Sequence, residues 1–184
     1  RYVDVELEAQ KQMSKRVRNA AHENGTIFIR SYHDFEGTDS LEALKAIVEK
    51  CIYHGADMVK IVTTARSQED VQRVMSLYEW FRNEVKDLPD GSLIAFCMGE
   101  EGRRSRLDCL KYGAPYTYAA LSEEEAAAPG QWPAEDMFRA VYGEFSFIGK
   151  VSSSKESDGS LHMPVSKSFA QRAIIAAALA DGTS

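Results

Sequence analysis

The chain has 184 residues, 44% hydrophobic and 27% charged, the profile of an ordinary globular protein of one domain or one domain plus part of another. Its formal net charge is −6 with Lys and Arg scattered, which argues against a nucleic-acid partner, and no apolar run approaches a membrane span. Cys51, Cys97 and Cys109 are odd in number and lack CxxC spacing, so they read as reduced thiols in a cytoplasmic protein.

Strand and helix patterns alternate along the chain. Tyr2-Val3-Asp4-Val5-Glu6-Leu7 alternates apolar and polar residues and predicts a strand. Charges at helical spacing follow over residues 8–23 and stop at Asn24-Gly25. Residues 26–31 are β-branched and aromatic, a second strand. Thr38-Asp39-Ser40 supplies a cap, after which Leu41, Leu44, Ile47, Val48 and Cys51 form a helical stripe ending at His54-Gly55.

The third strand is the short run Met58-Val59-Lys60-Ile61-Val62. A lysine there loses water, and burial disfavours its charged form. A neutral amine on a rigid strand attacks ketones to give a Schiff base. The plain alternative is a lysine snorkelling from a strand end.

The next helix starts at Ser67, with Glu69 and Asp70 in its first turn and Val71, Val74, Leu77 and Phe81 facing inward. Asp90-Gly91 turns into a strand at 92–98, a helix at 103–112 closes at Gly113, and residues 116–120 predict a fifth strand. A polar loop, 122–131, leads to a last helix near Pro133. Five βα units, spaced by roughly 25 to 30 residues, predict an α/β fold with a parallel sheet and helical crossovers.

Residues 1–145 therefore form one expected domain, and the small polar residues of 146–160 read as a linker. Residues 161–184 begin something new: an alanine-rich helix at 168–180, too apolar to be solvated all round, whose packing partner is expected outside the chain. The chain opens at Arg1 without a methionine, so the lack of a signal segment carries little weight.

In parallel βα folds the reactive groups collect at the carboxyl ends of strands. That rule selects Asp4, Glu6, His33, Asp34, Lys60, Met98, the loop from Gly99 to Arg106, and Gln131. Together they suit proton abstraction beside a carbonyl converted to an imine. Lys60 makes the iminium, His33 moves protons, and Arg106 grips a carboxylate through its planar fork. Each has a plain alternative. His33 caps a turn, Arg106 lies on a helix surface as Arg103 and Arg104 do, Gln131 caps the last helix, and Asp4 and Glu6 pair with neighbouring strands.

These segments resemble type I 3-dehydroquinate dehydratase. The matching stretches are 2–7, Ser-Tyr-His-Asp-Phe at 31–35, Gly-Ala-Asp-Met-Val-Lys at 55–60, Met-Gly-Glu-Glu-Gly-Arg-Arg-Ser-Arg at 98–106 and Ala-Pro-Gly-Gln at 128–131, in the family's order and spacing. The resemblance implies a (β/α)₈ TIM barrel, of which this chain would hold about strands 4 to 8. It implies no metal and no cofactor, with 3-dehydroquinate as the small-molecule substrate and 3-dehydroshikimate as product, in the shikimate pathway. Lys60 would form the Schiff base, His33 would act as base and then acid, Arg106 would bind the substrate carboxylate, and Gln131 would bind hydroxyls from a closing loop. A homodimer is an open arrangement.

Two departures accompany the resemblance. Three strands would precede Arg1, among them the source of an acidic partner for the histidine. Without them an open sheet edge is expected to leave the chain inactive and marginally stable or aggregating. In addition, the loop usually reads Ser-Ala-Pro-Gly-Gln, and Ala127 stands in place of the serine.

The tail brings a second resemblance. Residues 163–168, 171–173 and 178–184 are similar to the opening of 5-enolpyruvylshikimate-3-phosphate synthase (3-phosphoshikimate 1-carboxyvinyltransferase). Lys167, Ser168 and Arg172 would bind shikimate 3-phosphate and phosphoenolpyruvate, the usual chemistry of an anion site at a helix start. The expected whole is a segment of a fused, multifunctional enzyme. Two rivals stay open: a lysine-imine aldolase on the same barrel, and a non-catalytic barrel remnant serving as a binding module.

Overall fold

A computed structural model describes residues 1–143. The expected linker and the tail with Lys167, Ser168 and Arg172 lie outside the described residues.

Four strands, β1 (Tyr2–Glu6), β2 (Ile27–Asp34), β3 (Met58–Thr64) and β4 (Leu93–Met98), form one parallel sheet in the order β1-β2-β3-β4. Between and after them run α1 (Lys11–Glu23), α2 (Leu41–Tyr53), α3 (Gln68–Glu84), α4 (Gly99–Gly102), α5 (Ser105–Tyr112) and α6 (Ala134–Tyr142). The central strands read as apolar runs because both their faces are covered. All of β4 is buried, as is β3 apart from Lys60 and Thr64.

The helices start where their side chains can cap them. Ser40 Oγ accepts from the Ala43 N–H at 3.3 Å at the head of α2. Ser67 and Asp70 form a reciprocal capping box on α3, satisfying two otherwise free amides. Leu44, Val48 and Cys51 of α2 and Val74, Leu77 and Phe81 of α3 then pack into the core. The N-terminal helix starts three residues later than its charge pattern predicts, at Lys11, because the chain first turns with the Ala9 N–H on Glu6 O.

The expected fifth strand does not form. Residues 116–119 join no ladder, and the nearest bridge pairs Ala120 with Pro133. The reason lies at the free edge of β4. Its Ala95 N–H donates to Tyr78 Oη at 2.7 Å, and the Tyr78 hydroxyl donates back to Ala95 O at 2.9 Å. The Cys97 N–H donates to Ser105 Oγ at 2.8 Å. Side chains of α3 and α5 thus occupy edge groups that a fifth strand would use.

The 116–118 segment packs by its rings instead. Tyr116 stands edge-on to Tyr2 of β1 at 5.3 Å, and Tyr118 packs 6.1 Å from Phe96 of β4. Alternation in the sequence is a valid signal of a half-covered extended segment, but it does not reveal whether backbone or side chains make the contact.

The segment 99–106 also differs from a plain loop. It contains the short turn of α4, whose Gly102 lies so close to β4 that a Cβ would sit 2.7 Å from the Cys97 backbone.

Candidate active site

Strand register sets the site. Glu6 is level with Ser31, Ser31 with Lys60, and Lys60 with Ile94; His33 is level with Val62 and Val62 with Phe96. Because side chains alternate along a strand, these residues share one face of the sheet. A cleft of about 200 Å³ opens on that face, lined among others by His33, Lys60, Phe96, Met98, Arg106 and Tyr118. Three of the four residues singled out in the main domain therefore meet in one cleft.

Lys60 is not the isolated, desolvated amine that the apolar run suggests. Its side chain is 12% exposed, its Nζ donates to Asp4 Oδ2 at 3.0 Å, and the Tyr118 ring lies 4.7 Å away. What the strand supplies is position, with a proton acceptor already in contact.

His33 pairs through Nδ1 with Glu6 Oε1, and its ring stacks on Phe35 at 6.0 Å. An acidic partner for the histidine is thus present on β1, within this chain. Asp34 does not reach the cleft; its Oδ1 accepts from the Glu36 and Gly37 amides at 2.8 and 3.1 Å and closes a turn.

Arg106 is 3% exposed, with its guanidinium 4.6 Å from the centre of the Phe96 ring. It is therefore no helix-surface arginine. Burial pulls its pKa below the usual arginine value. Its Nε has no partner, and among the described residues no carboxylate forms an ion pair with it. A guanidinium stays charged even so, and a buried one without a counter-ion has a strong demand for an anion.

Gln131 does not line the cleft. Its Oε1 accepts from the Ala127 N–H at 2.9 Å and ties the loop to itself. Ala127 and Ala128 line the cleft in its place. The loop is docked because Gly130 carries no side chain: at φ +73° an added Cβ would lie 2.3 Å from Gly99 O, and the Gly99 N–H donates to Pro129 O at 3.2 Å. Arg103, expected on a helix surface, lies 4.7 Å from the Trp132 ring and its carbonyl accepts from Trp132 Nε1 at 2.8 Å. Arg104 fits the surface reading, pairing with Asp108 at 3.5 Å.

Tyr118 joins the cleft without any signal in the sequence: it is one of several aromatics in the expected fifth strand, and nothing in its spacing singles it out from Tyr116.

A family described as Type I 3-dehydroquinase matches residues 1–146. A 3-dehydroquinate dehydratase of Desulfotalea psychrophila is 38% identical over 144 residues, covering 78% of this chain and 61% of the relative. That of Thermococcus gammatolerans is 43% identical over 137 residues, covering 74% and 58%. The crystal structure of 3-dehydroquinate dehydratase from Geobacillus kaustophilus superposes with a TM-score of 0.66 at 31% identity, over 76% of this chain and 52% of that one. The chain spans about three fifths of the length of the two curated relatives.

Proposed function

The chain belongs to the type I 3-dehydroquinase family, and from that premise we propose that it carries the imine chemistry of a dehydratase converting 3-dehydroquinate to 3-dehydroshikimate and water. The observation that carries the proposal is the meeting in one cleft of Lys60, His33 and a buried Arg106 that has no carboxylate partner among the described residues. In this reading Arg106 takes the substrate carboxylate in a bidentate grip. Lys60 hands a proton to Asp4 and attacks the ketone carbon, and water leaves as the C=N bond forms. The iminium withdraws electrons from the adjacent carbon, so His33 can remove a proton there, with Glu6 stabilising the imidazolium. The resulting electron pair expels the neighbouring hydroxyl, which departs as water with the proton from His33. Hydrolysis of the imine releases the enone product and restores Lys60.

The proposal extends to a place in the shikimate pathway, a partial TIM barrel, and a cytoplasmic setting in which the buried thiols Cys51, Cys97 and Cys109 stay reduced. Among the described residues no helix is long and apolar enough to cross a membrane.

Borohydride trapping tests the reading in the natural polypeptide that carries this chain. With 3-dehydroquinate present, reduction should add the mass of the reduced product adduct to Lys60 and to no other lysine. A Lys60→Ala protein with undiminished production of the conjugated enone would overturn it. Trapped substrate with carbon–carbon cleavage and no enone would favour the aldolase.

For residues 161–184 the proposal is the start of a 3-phosphoshikimate 1-carboxyvinyltransferase domain, supported by the Lys167, Ser168 and Arg172 pattern. In the same polypeptide, Lys167→Ala and Arg172→Ala should each weaken shikimate 3-phosphate binding. Unchanged binding in both would sink it.

A further inference from the structure

A second cleft, of about 480 Å³, lies away from the Lys60 cleft and shares no residue with it. Its walls carry five cationic side chains, Lys11, Lys15, Arg18, Arg30 and Lys50, against one carboxylate, Glu8. We propose that this cleft binds a phosphate-bearing small molecule.

Arg30 is the centre of the case. It is 2% exposed, and its hydrogen bonds are all to neutral groups: Nη1 to Ser14 Oγ, and Nη2 to Leu7 O at 3.0 Å. Its Nε is buried with no partner, and among the described residues no carboxylate forms an ion pair with it. Glu8 pairs within the cleft with Lys50 at 3.7 Å, which leaves Lys11, Lys15, Arg18 and Arg30 as the cleft's cations without a carboxylate in ion-pair reach among the described residues. Burying a guanidinium is costly unless an anion compensates it, so a site that keeps one in this state is built for an anion from outside.

The helix start adds to this. The thirteen-residue α1 begins at the cleft with Gln10, Lys11 and Ser14 on its wall, has no side-chain cap, and has no acid in its first turn. Its free amides and dipole favour negative charge at the same place. The pKa of His54, also on the wall, lies below its ordinary value, through burial first and then through Arg30, Lys11 and Lys50. Phosphate suits the set because it offers several acceptor oxygens to a planar fork and to flexible ammonium groups at once.

The inference stands apart from the Lys60 chemistry, and its test does not use turnover. Isothermal titration of the 184-residue chain carrying Lys167→Ala and Arg172→Ala, which silence the anion site proposed for the tail, with pyrophosphate at low ionic strength should show saturable one-to-one binding. Malonate, titrated in parallel, should bind at least about tenfold more weakly if phosphate is the preferred anion. The double variant Lys11→Gln, Lys15→Gln removes two exposed charges without touching the core. It should weaken pyrophosphate at least about tenfold, while Lys111→Gln, far along the chain on α5, should leave it unchanged. Arg30→Lys should weaken it as well if the protein stays folded by circular dichroism. No saturable binding, equal binding by the double variant, or equal loss in Lys111→Gln would overturn the assignment. Malonate binding as tight as pyrophosphate would replace phosphate with a carboxylate ligand and overturn the class proposed.

Discussion

Asp4 on β1 holds the Lys60 amine at 3.0 Å, reaching over β2 to β3 on the inner face of the sheet. The contact orients a flexible lysine and keeps a proton acceptor beside it. Asp4→Asn keeps the shape and removes the charge. Charge-assisted hydrogen bonds contribute about 1.5–3 kcal/mol, so the rate of borohydride-trappable imine formation should fall roughly 10- to 100-fold. The thermal midpoint should move little, since Asp4 is one-third exposed. An unchanged trapping rate would remove Asp4 from the reaction.

Tyr78 closes the edge of β4 through two hydrogen bonds to Ala95. Tyr78→Phe leaves a buried N–H and a buried C=O without partners. At about 1–3 kcal/mol for each abandoned group, a loss of about 2–6 kcal/mol is expected in urea unfolding. A loss under about 0.5 kcal/mol would show that water or a strand takes over the edge.

Gly130 docks the loop on Gly99. Gly130→Ala combines a left-handed backbone position with a backbone clash, and should cost about 1–3 kcal/mol, read as detachment of the loop. The Gly99 amide, now bonded to Pro129 O, should then exchange with solvent faster. Retained protection at Gly99 would mean that the loop is held elsewhere.

Burial pushes the thiols up, Cys51 to about 12 and Cys97 and Cys109 to about 11, from an ordinary 9.0. In the unfolded chain they ionise from about pH 9, while in the folded chain they keep their protons up to about pH 11. The unfolded state therefore binds fewer protons in that window, and stability falls as pH rises through it, by at most about 1.4 kcal/mol per pH unit for each thiol. Below about pH 8, a unit under the unfolded value, these groups contribute almost no slope. Urea midpoints from pH 8 to 10.5 should fall less steeply in Cys51→Ala than in the unaltered protein. Identical slopes would show that Cys51 titrates alike in both states.

By itself the sequence marked the four parallel strands, together with a fifth that does not form, and the caps at Ser40 and Ser67, because periodicity and capping are local properties that a short window records; it offered Lys60, His33, Arg106 and Gln131 as candidates from their places after strands. It also marked Asp4 and Glu6 as strand-end acids. Only the tertiary structure decided which partner each received: Asp4 for Lys60, Glu6 for His33 and, among the described residues, the Phe96 ring with no carboxylate for Arg106. It alone decided that Tyr78 and Ser105 occupy the edge of β4, that Gln131 turns back onto its own loop, and that Tyr118 covers the amine. Those outcomes depend on which residues, dozens of positions apart, compete for one donor or one face, and neither alternation nor helical spacing carries that information.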